Sequence, residues 1–329
     1  APPPDMSRRP LPRGPRLATA GVAGLLAAML LAAAAAAEPR RGGDRFFFSG
    51  DGVLRLHHAH FGNDLQVRFR IDDGSYDSRE LGRLRHFFRS RDDGREGPLS
   101  LRLVELLDYI EDRFTPSRMV VYSAYRSPEL NDSLAGTARA SLHTQGLAVD
   151  VGLDGVSLVP AWKQLRDLEA GGMGYYAREG FLHVDTGKPR FWEAATSGVG
   201  ADLSAGNARI FARTEFDRYA TLDGLLLTLH SVTAVPLGLK RRVEPGLELV
   251  PEFPEVRDDG ACLWIEGFAD EYRFRLRVVG RAPRADGVAA MPVRLELETC
   301  APRTGATPRK VPANRIDLVA ADPRFLQPQ

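Results

Sequence analysis

Two short motifs in the sequence hold three side chains of the kind that bind a divalent metal. SLHTQGLAVD (141–150) carries His143 and Asp150, seven positions apart, and FLHVD (181–185) carries His183. Two imidazoles and one carboxylate make a three-ligand set that leaves a coordination position open, the pattern of catalytic rather than structural zinc. Asp185 stands two residues after His183, so on a strand both side chains share a face. There it can act as general base toward a water or orient a ligand imidazole from behind; Glu179 is the other candidate base. Upstream, SAYRS (123–127) puts Arg126 just past a strand end, where loops over a rigid sheet carry function. A guanidinium at that place can donate to a developing oxyanion or a substrate carboxylate, or can form a structural ion pair.

The surrounding pattern predicts the elements that hold these groups. Alternating runs at Val53–Leu56 and Leu65–Phe69 around Gly62-Asn63 predict a β-hairpin. His57, His58 and His60 on it have no carboxylate or cysteine to complete a ligand set, and are assigned to the hairpin surface or to supporting a site. Leu81, Leu84, Phe87 and Phe88, then Leu101, Val104, Leu107 and Ile110, recur at helical spacing and predict two core-facing helices. Arg118–Ser123 reads as a buried strand. Gly146 interrupts any helix through His143, so a turn there should lead into a strand Leu147–Val151, with a second strand at Phe181–Asp185. Adjacent strands would bring the three candidate ligands to one edge. Leu158–Gly171 reads as the helix linking the motifs, ending at the Gly171-Gly172 pair. Tyr175, Tyr176 and Trp192 flank the last motif as cleft or core aromatics.

Length and composition set the frame. A chain of 329 residues fits two domains plus an export segment. The formal net charge of +1 gives no global field for nucleic acid. From Met6, a basic stretch (Arg8, Arg9, Arg13, Arg16) precedes an apolar run from Leu17 to Ala37 that ends in small residues, the layout of a cleaved secretory signal. With cleavage, no stable membrane span is expected. Arg8-Arg9 also resembles a twin-arginine signal. The expected organisation is a signal peptide over 1–37, a linker over 38–45, a metal-site domain over 46–195, a linker over 196–208 and a β-rich domain over 209–329. In the last segment, Leu225–Leu229, Leu247–Val250, Cys262–Ile265, Tyr272–Val279 and Val293–Leu297 alternate as strands of a small sandwich or barrel. Its two cysteines, Cys262 and Cys300, could pair in an exported chain.

SAYRS, SLHTQGLAVD, GGMGYY and FLHVDTGKPRFW, with the upstream RLHHAHFGNDLQVRF, resemble the YcbK-like murein endopeptidases (endopeptidase K) over about residues 45–195. These are exported relatives of the D-Ala-D-Ala zinc metallopeptidases, with a core like that of the hedgehog N-terminal domain. The resemblance implies an α+β fold: a small, mostly antiparallel sheet with flanking helices, followed here by the β-rich segment. It further implies Zn2+ held by His143, Asp150 and His183, the family arginine at Arg126, and a periplasmic location. The implied activity is hydrolysis of peptide cross-links between peptidoglycan stems, of the 3-3 or 4-3 kind, through a zinc-activated water. A D,D-carboxypeptidase and a catalytically idle zinc-containing wall-binding protein are the alternatives. Two departures stand out. Many relatives place a glutamate three residues before the last histidine, where this chain has Gly180, which is why Asp185 is the preferred base. NDSLAGTARA (131–140) also replaces the usual basic loop.

Overall fold

The computed structural model describes residues 47–134, 141–195, 210–232, 235–268, 271–281, 283–285, 290–303 and 307–320. The expected signal segment, the 196–208 linker and most of the variant loop over 131–140 lie outside the described residues. Among those described, no helix is long and apolar enough to cross a membrane.

The first part of the chain builds a seven-stranded mixed sheet. Its strands are β1 (Val53–His58), β2 (Asp64–Arg68), β3 (Arg118–Ser123), β4 (Ala148–Asp154), β5 (Gly172–Tyr176), β6 (Phe181–Asp185) and β7 (Arg190–Glu193). They lie in the order β2-β1-β3-β4-β6-β5-β7. Pairing is antiparallel except at β1–β3 and β5–β7. The sheet is therefore larger than the sequence suggested, because both ends are extended by a parallel joint. The β1–β2 hairpin pairs Leu54 with Val67 and Leu56 with Leu65, as the alternation required.

Helices α1 (Ser78–Phe87) and α2 (Leu101–Phe114) cover the sheet with the stripes expected of them, Leu81, Leu84 and Phe87 on α1 and Leu101, Val104, Leu107 and Ile110 on α2. Each starts at a side chain that satisfies orphan N–H groups. Asp77 accepts from the amides of Arg79 and Glu80, and Ser100 accepts from the amide of Leu103. The short α3 (Pro128–Ser133) starts at Ser127, with proline in its first turn where no N–H is needed. Helix α4 (Leu158–Asp167) stops four residues before the Gly171-Gly172 pair, since Glu169 takes a left-handed φ of 54° that a helix cannot continue through.

The second part is all β, as expected, but in several small sheets rather than one closed sandwich. A five-stranded sheet includes β8 (Phe211–Thr214), Leu226–His230, Leu247–Pro251 and Glu271–Val278, and smaller two- and three-stranded sheets flank it. The stretch expected as one strand over 293–297 is split into Met291–Arg294 and Leu297–Glu298. The buried apolar cluster runs without a break from Leu54 in the first part to Leu318 in the second.

Buried ion pairs cross between the two parts. Arg218 donates to the Glu105 carboxylate on α2, to Tyr76 Oη (3.1 Å) and to Ser49 Oγ (3.0 Å). Arg102, in the first turn of α2, chelates Asp217 with two bonds of 2.8 and 3.0 Å and donates to the carbonyl of Thr214. Breaking such a buried pair leaves an uncompensated charge, which is costly, so these contacts fix how the parts dock.

Cys262 and Cys300 form a disulfide spanning 38 residues. It ties the strand Cys262–Ile265 to the segment after Leu297–Glu298. Closing a loop of that length restricts the unfolded chain by about 2–4 kcal/mol. The paired variant Cys262→Ser/Cys300→Ser should therefore lower the free energy of unfolding by that amount in urea titration. Added reductant should destabilise the wild type to the level of the variant and leave the variant unchanged.

Candidate metal centre

The register between β4 and β6 sets Asp150 directly opposite His183. Neighbouring strands lie about 4.8 Å apart, so the two side chains rise together from one face. His143 reaches the same point from a single 3-10 turn, Leu142–Gln145, closed by Gly146 at φ +65°. A Cβ at Gly146 would stand 1.9 Å from the Pro98 carbonyl oxygen, and the Gly146 carbonyl accepts from the amide of Ser100 at the start of α2. The turn that presents His143 is thus wedged against the helix cap, with room there only for glycine.

One atom of each residue converges. His183 Nδ1 lies 2.9 Å from Asp150 Oδ1 and 3.3 Å from His143 Nε2, and His143 Nε2 lies 3.4 Å from Asp150 Oδ1. For metal–ligand bonds of 2.0–2.1 Å, the edge of a tetrahedron is about 3.3 Å. The far nitrogen of each ring is committed elsewhere. His143 Nδ1 donates to the Ala124 carbonyl (2.7 Å), and His183 Nε2 donates to Asp185 Oδ2 (3.0 Å). A carbonyl and a carboxylate can only accept, so each neutral ring must carry its proton on that side and turn its lone pair inward. Donors this close, directed at one point, are bridged either by protons or by one cation. Donor set, spacing and tautomers all suit zinc.

Where no cation fills that point, the electrostatics put a proton between His183 and Asp150, which a bound metal displaces. Burial opposes the charge on Asp150, yet the imidazoles of His143 and His183 hold its carboxyl far below the usual range. Burial alone would lower His183, but the Asp150 and Asp185 carboxylates at its two nitrogens push it up to about 9. Burial pulls His143 down. For Asp185 burial again opposes ionisation, and the bonded His183, with Arg190 nearby, brings it to about 2.

Asp185 sits behind His183, not at the point of convergence, and is fully buried. Its Oδ1 accepts from the amides of Gly172 (2.9 Å) and Gly187 (2.8 Å), and Arg190 donates to both of its oxygens (3.2 and 2.8 Å). Of the two roles open to it from the sequence, this geometry suits orientation of the ligand ring, not abstraction of a proton from water. Glu179 lies exposed on the turn between β5 and β6, on the order of 10 Å along the hairpin from His183. Among the described residues, the carboxylates hydrogen-bonded within the cluster are Asp150 and Asp185.

Arg126 is brought to the site as expected, but as a partner of Asp150. Its Nη2 donates to Asp150 Oδ2 at 2.5 Å and its Nε to Ser123 Oγ at 2.8 Å. Asp150 is thereby divided, one oxygen at the convergence point and the other on a cation. Trp192 packs tilted against His183, with ring centroids 5.1 Å apart, and donates from Nε1 to Tyr176 Oη (3.3 Å). Tyr176 continues the wall onto Phe181 at 4.6 Å. Tyr175 packs instead against Trp162 of α4.

The hairpin histidines stay apart from the centre. His57 pairs with Asp64 (2.8 Å), while His58 is buried and its Nδ1 accepts from the amides of His60 and Phe61, holding the hairpin turn. A second carboxylate group, Asp51, Asp108 and Asp112, lies at the loop before β1. Backbone amides of Gly50, Asp51 and Gly52 and the guanidinium of Arg70 donate to it, which anchors that loop to α2.

Sequence reasoning missed Arg190 and Ser123. Arg190 lies within the GKPRFW stretch five residues past Asp185, but only the turn into β7 folds it back onto that carboxylate. Ser123 stands in SAYRS, three residues before the arginine it supports.

Comparison with known proteins follows the same residues. A family profile described as peptidoglycan L,D-endopeptidase MepK matches residues 49–192. The peptidoglycan L,D-endopeptidase MepK of Escherichia coli (strain K12) is 33% identical over 145 residues, 43% of this chain and 79% of that protein. The protein of that name from Shigella flexneri gives the same figures. The probable peptidoglycan L,D-endopeptidase MepK of Haemophilus influenzae is 38% identical over 77 residues, 22% of this chain and 41% of that protein. No solved structure matches the chain.

The wedge at Gly146 gives a direct test. Gly146→Ala adds both the backbone strain and the clash with Pro98, which should cost about 1–3 kcal/mol of stability in chemical denaturation. Metal uptake should weaken with it, since His143 rides on the same turn. Wild-type stability and uptake would show that the turn adapts.

Proposed function

Because the chain belongs to the peptidoglycan L,D-endopeptidase MepK family, we propose that it is a zinc-dependent endopeptidase that hydrolyses peptide cross-links of bacterial peptidoglycan. The observation that carries this reading is the convergence of His143 Nε2, Asp150 Oδ1 and His183 Nδ1, with both imidazole tautomers set by bonds on their far sides. Three such ligands leave a position for water and substrate. A bound zinc supplies Lewis acidity at the scissile carbonyl and lowers the pKa of water toward about 7.

The chain's own residues do the rest. Asp185 holds the His183 ring in line and keeps its proton on Nε2. Arg126 fixes the second oxygen of Asp150, so that only one is offered to the metal. In this reading its other N–H groups donate to a substrate oxygen beside the site. Trp192, hydrogen-bonded to Tyr176, and the stacked Tyr176 and Phe181 rings form one wall, excluding water from that flank.

A periplasmic location is part of the same proposal. It is supported by the signal-like N-terminal sequence and by the Cys262–Cys300 disulfide, a bond that persists in oxidising compartments.

The deciding experiment is digestion of isolated peptidoglycan by the zinc-loaded protein, with fragments resolved by mass spectrometry. The expected result is loss of cross-linked dimers with a matching gain of monomers, stopped by a chelator. Release of free D-alanine would replace the endopeptidase with a carboxypeptidase. An unchanged digest, with zinc still bound, would leave a wall-binding protein.

Metal binding tests the residue roles separately. His143→Ala and His183→Ala should each abolish stoichiometric zinc. Asp185→Asn should weaken zinc affinity by about 10–100-fold, as loss of a ligand's orienting partner does. Unaltered affinity with lost turnover would instead return Asp185 to the role of general base.

A further inference from the structure

The family match ends at residue 192, yet the hydrogen bonds that hold the metal centre do not end there. We propose that Arg213, on β8 of the C-terminal part, is a positioning residue of the metal site: it fixes the peptide after Asp185 and so sets the orientation of His183. The inference rests on the metal reading above.

Arg213 is buried, and its Nη2 donates to the carbonyls of Thr186 (3.0 Å) and Gly187 (3.4 Å). The Thr186 carbonyl and the Gly187 N–H belong to one peptide unit. In a trans peptide they point in opposite directions. That N–H donates to Asp185 Oδ1 at 2.8 Å. Arg213 thus holds one end of a rigid plate whose other end is a donor to the carboxylate behind His183. Rotation of the plate would break both bonds together. The Thr186 amide, on the preceding plate, bonds the Leu147 carbonyl (3.1 Å), which ties the same loop to the entry of β4 and hence to Asp150.

The strand carrying Arg213 is itself pinned. The Thr214 amide donates to Asn314 Oδ1 (2.9 Å), and the Thr214 carbonyl accepts from Arg102 (2.8 Å). Arg102 lies two residues past Ser100, whose amide donates to the carbonyl of Gly146 beside His143. The C-terminal part therefore holds both shoulders of the centre, the loop after Asp185 through Arg213 and the turn after His143 through Arg102. Arginine suits the first contact because both N–H groups of Nη2 are held in one plane by the guanidinium, whereas a lysine ammonium rotates on a flexible stem and fixes no such plane.

The test measures zinc affinity of the full-length protein by competition with a chromophoric chelator, together with the visible spectrum of the cobalt-substituted form. Arg213→Met and Arg213→Lys are compared with Phe274→Leu, a core change in the five-stranded sheet that lowers stability without touching the loop. Arg213→Met should weaken zinc binding by about tenfold, the lower end of what a ligand's supporting partner contributes, and should alter the cobalt spectrum. Arg213→Lys should recover part of that loss, and Phe274→Leu should keep wild-type affinity and spectrum. If Arg213→Met does not fold, Arg213→Lys against Phe274→Leu decides. Wild-type affinity and spectrum in the Arg213 variants, or an equal loss in Phe274→Leu, would overturn the inference alone. A wild type that takes up no zinc would overturn the metal reading itself, and this inference with it.

Discussion

A carboxylate with no access to water must be given donors for all its lone pairs, or folding has to bear its desolvation. Asp185 is that carboxylate here, and the geometry of the candidate metal site follows from how its demand is met. Five donors surround it: His183 Nε2, the amides of Gly172 and Gly187, and two nitrogens of Arg190. They come from four different stretches of chain, so satisfying one residue draws β5, β6, the following loop and β7 into register. A Cβ at Gly172 would lie 2.2 Å from Asp185 Oδ2, so this approach also requires the small residue found there. The imidazole is one of the five donors, which is why its other nitrogen has a fixed direction.

Asp150 is arranged by the same logic with the opposite outcome. One of its oxygens is taken by Arg126, and the other faces only imidazole nitrogens, with which it must share a proton or a cation. The first carboxylate is fully satisfied and becomes a support. The second keeps one oxygen at a point that only a proton or a cation can fill. Burial makes the distinction consequential, because at low local dielectric an incompletely paired charge is a strong attractor for a cation.

Much of this was legible in the sequence, for identifiable reasons. Alternation around Gly62-Asn63 and the spacing of Leu81, Leu84 and Phe87 report burial directly, so β1, β2 and α1 fall where the pattern puts them. FLHVD could be read as placing His183 and Asp185 on one face, because period two is intrinsic to a strand. What the pattern could not supply was which atom of each side chain faces which neighbour. Asp185 shares a face with His183 whether it stands before the ring or behind it, and the choice depends on Gly172, Gly187 and Arg190, all outside the motif. Likewise, the sequence leaves Arg126 as an oxyanion donor or an ion pair, and does not show that Ser123 and Asp150 claim its Nε and Nη2. The parallel joint of β5 with β7 was also hidden, since it pairs GGMGYY with RFW across an intervening strand.

The C-terminal part was the least legible, because its alternating strands state only that one face is buried, not against what. Arg213 sits in a run, FART, with nothing to mark it off from any other strand arginine. In the fold it is buried against the carbonyls beside the metal centre, and Arg218, five residues on, is buried against Glu105 and Tyr76. A cation is seldom buried for stability alone, since apolar side chains of similar volume serve at least as well. Two buried arginines reaching from the same segment into the first part instead specify one docking geometry. Of the two, Arg213 meets the peptide that also binds Asp185, so the geometry it specifies is that of the site.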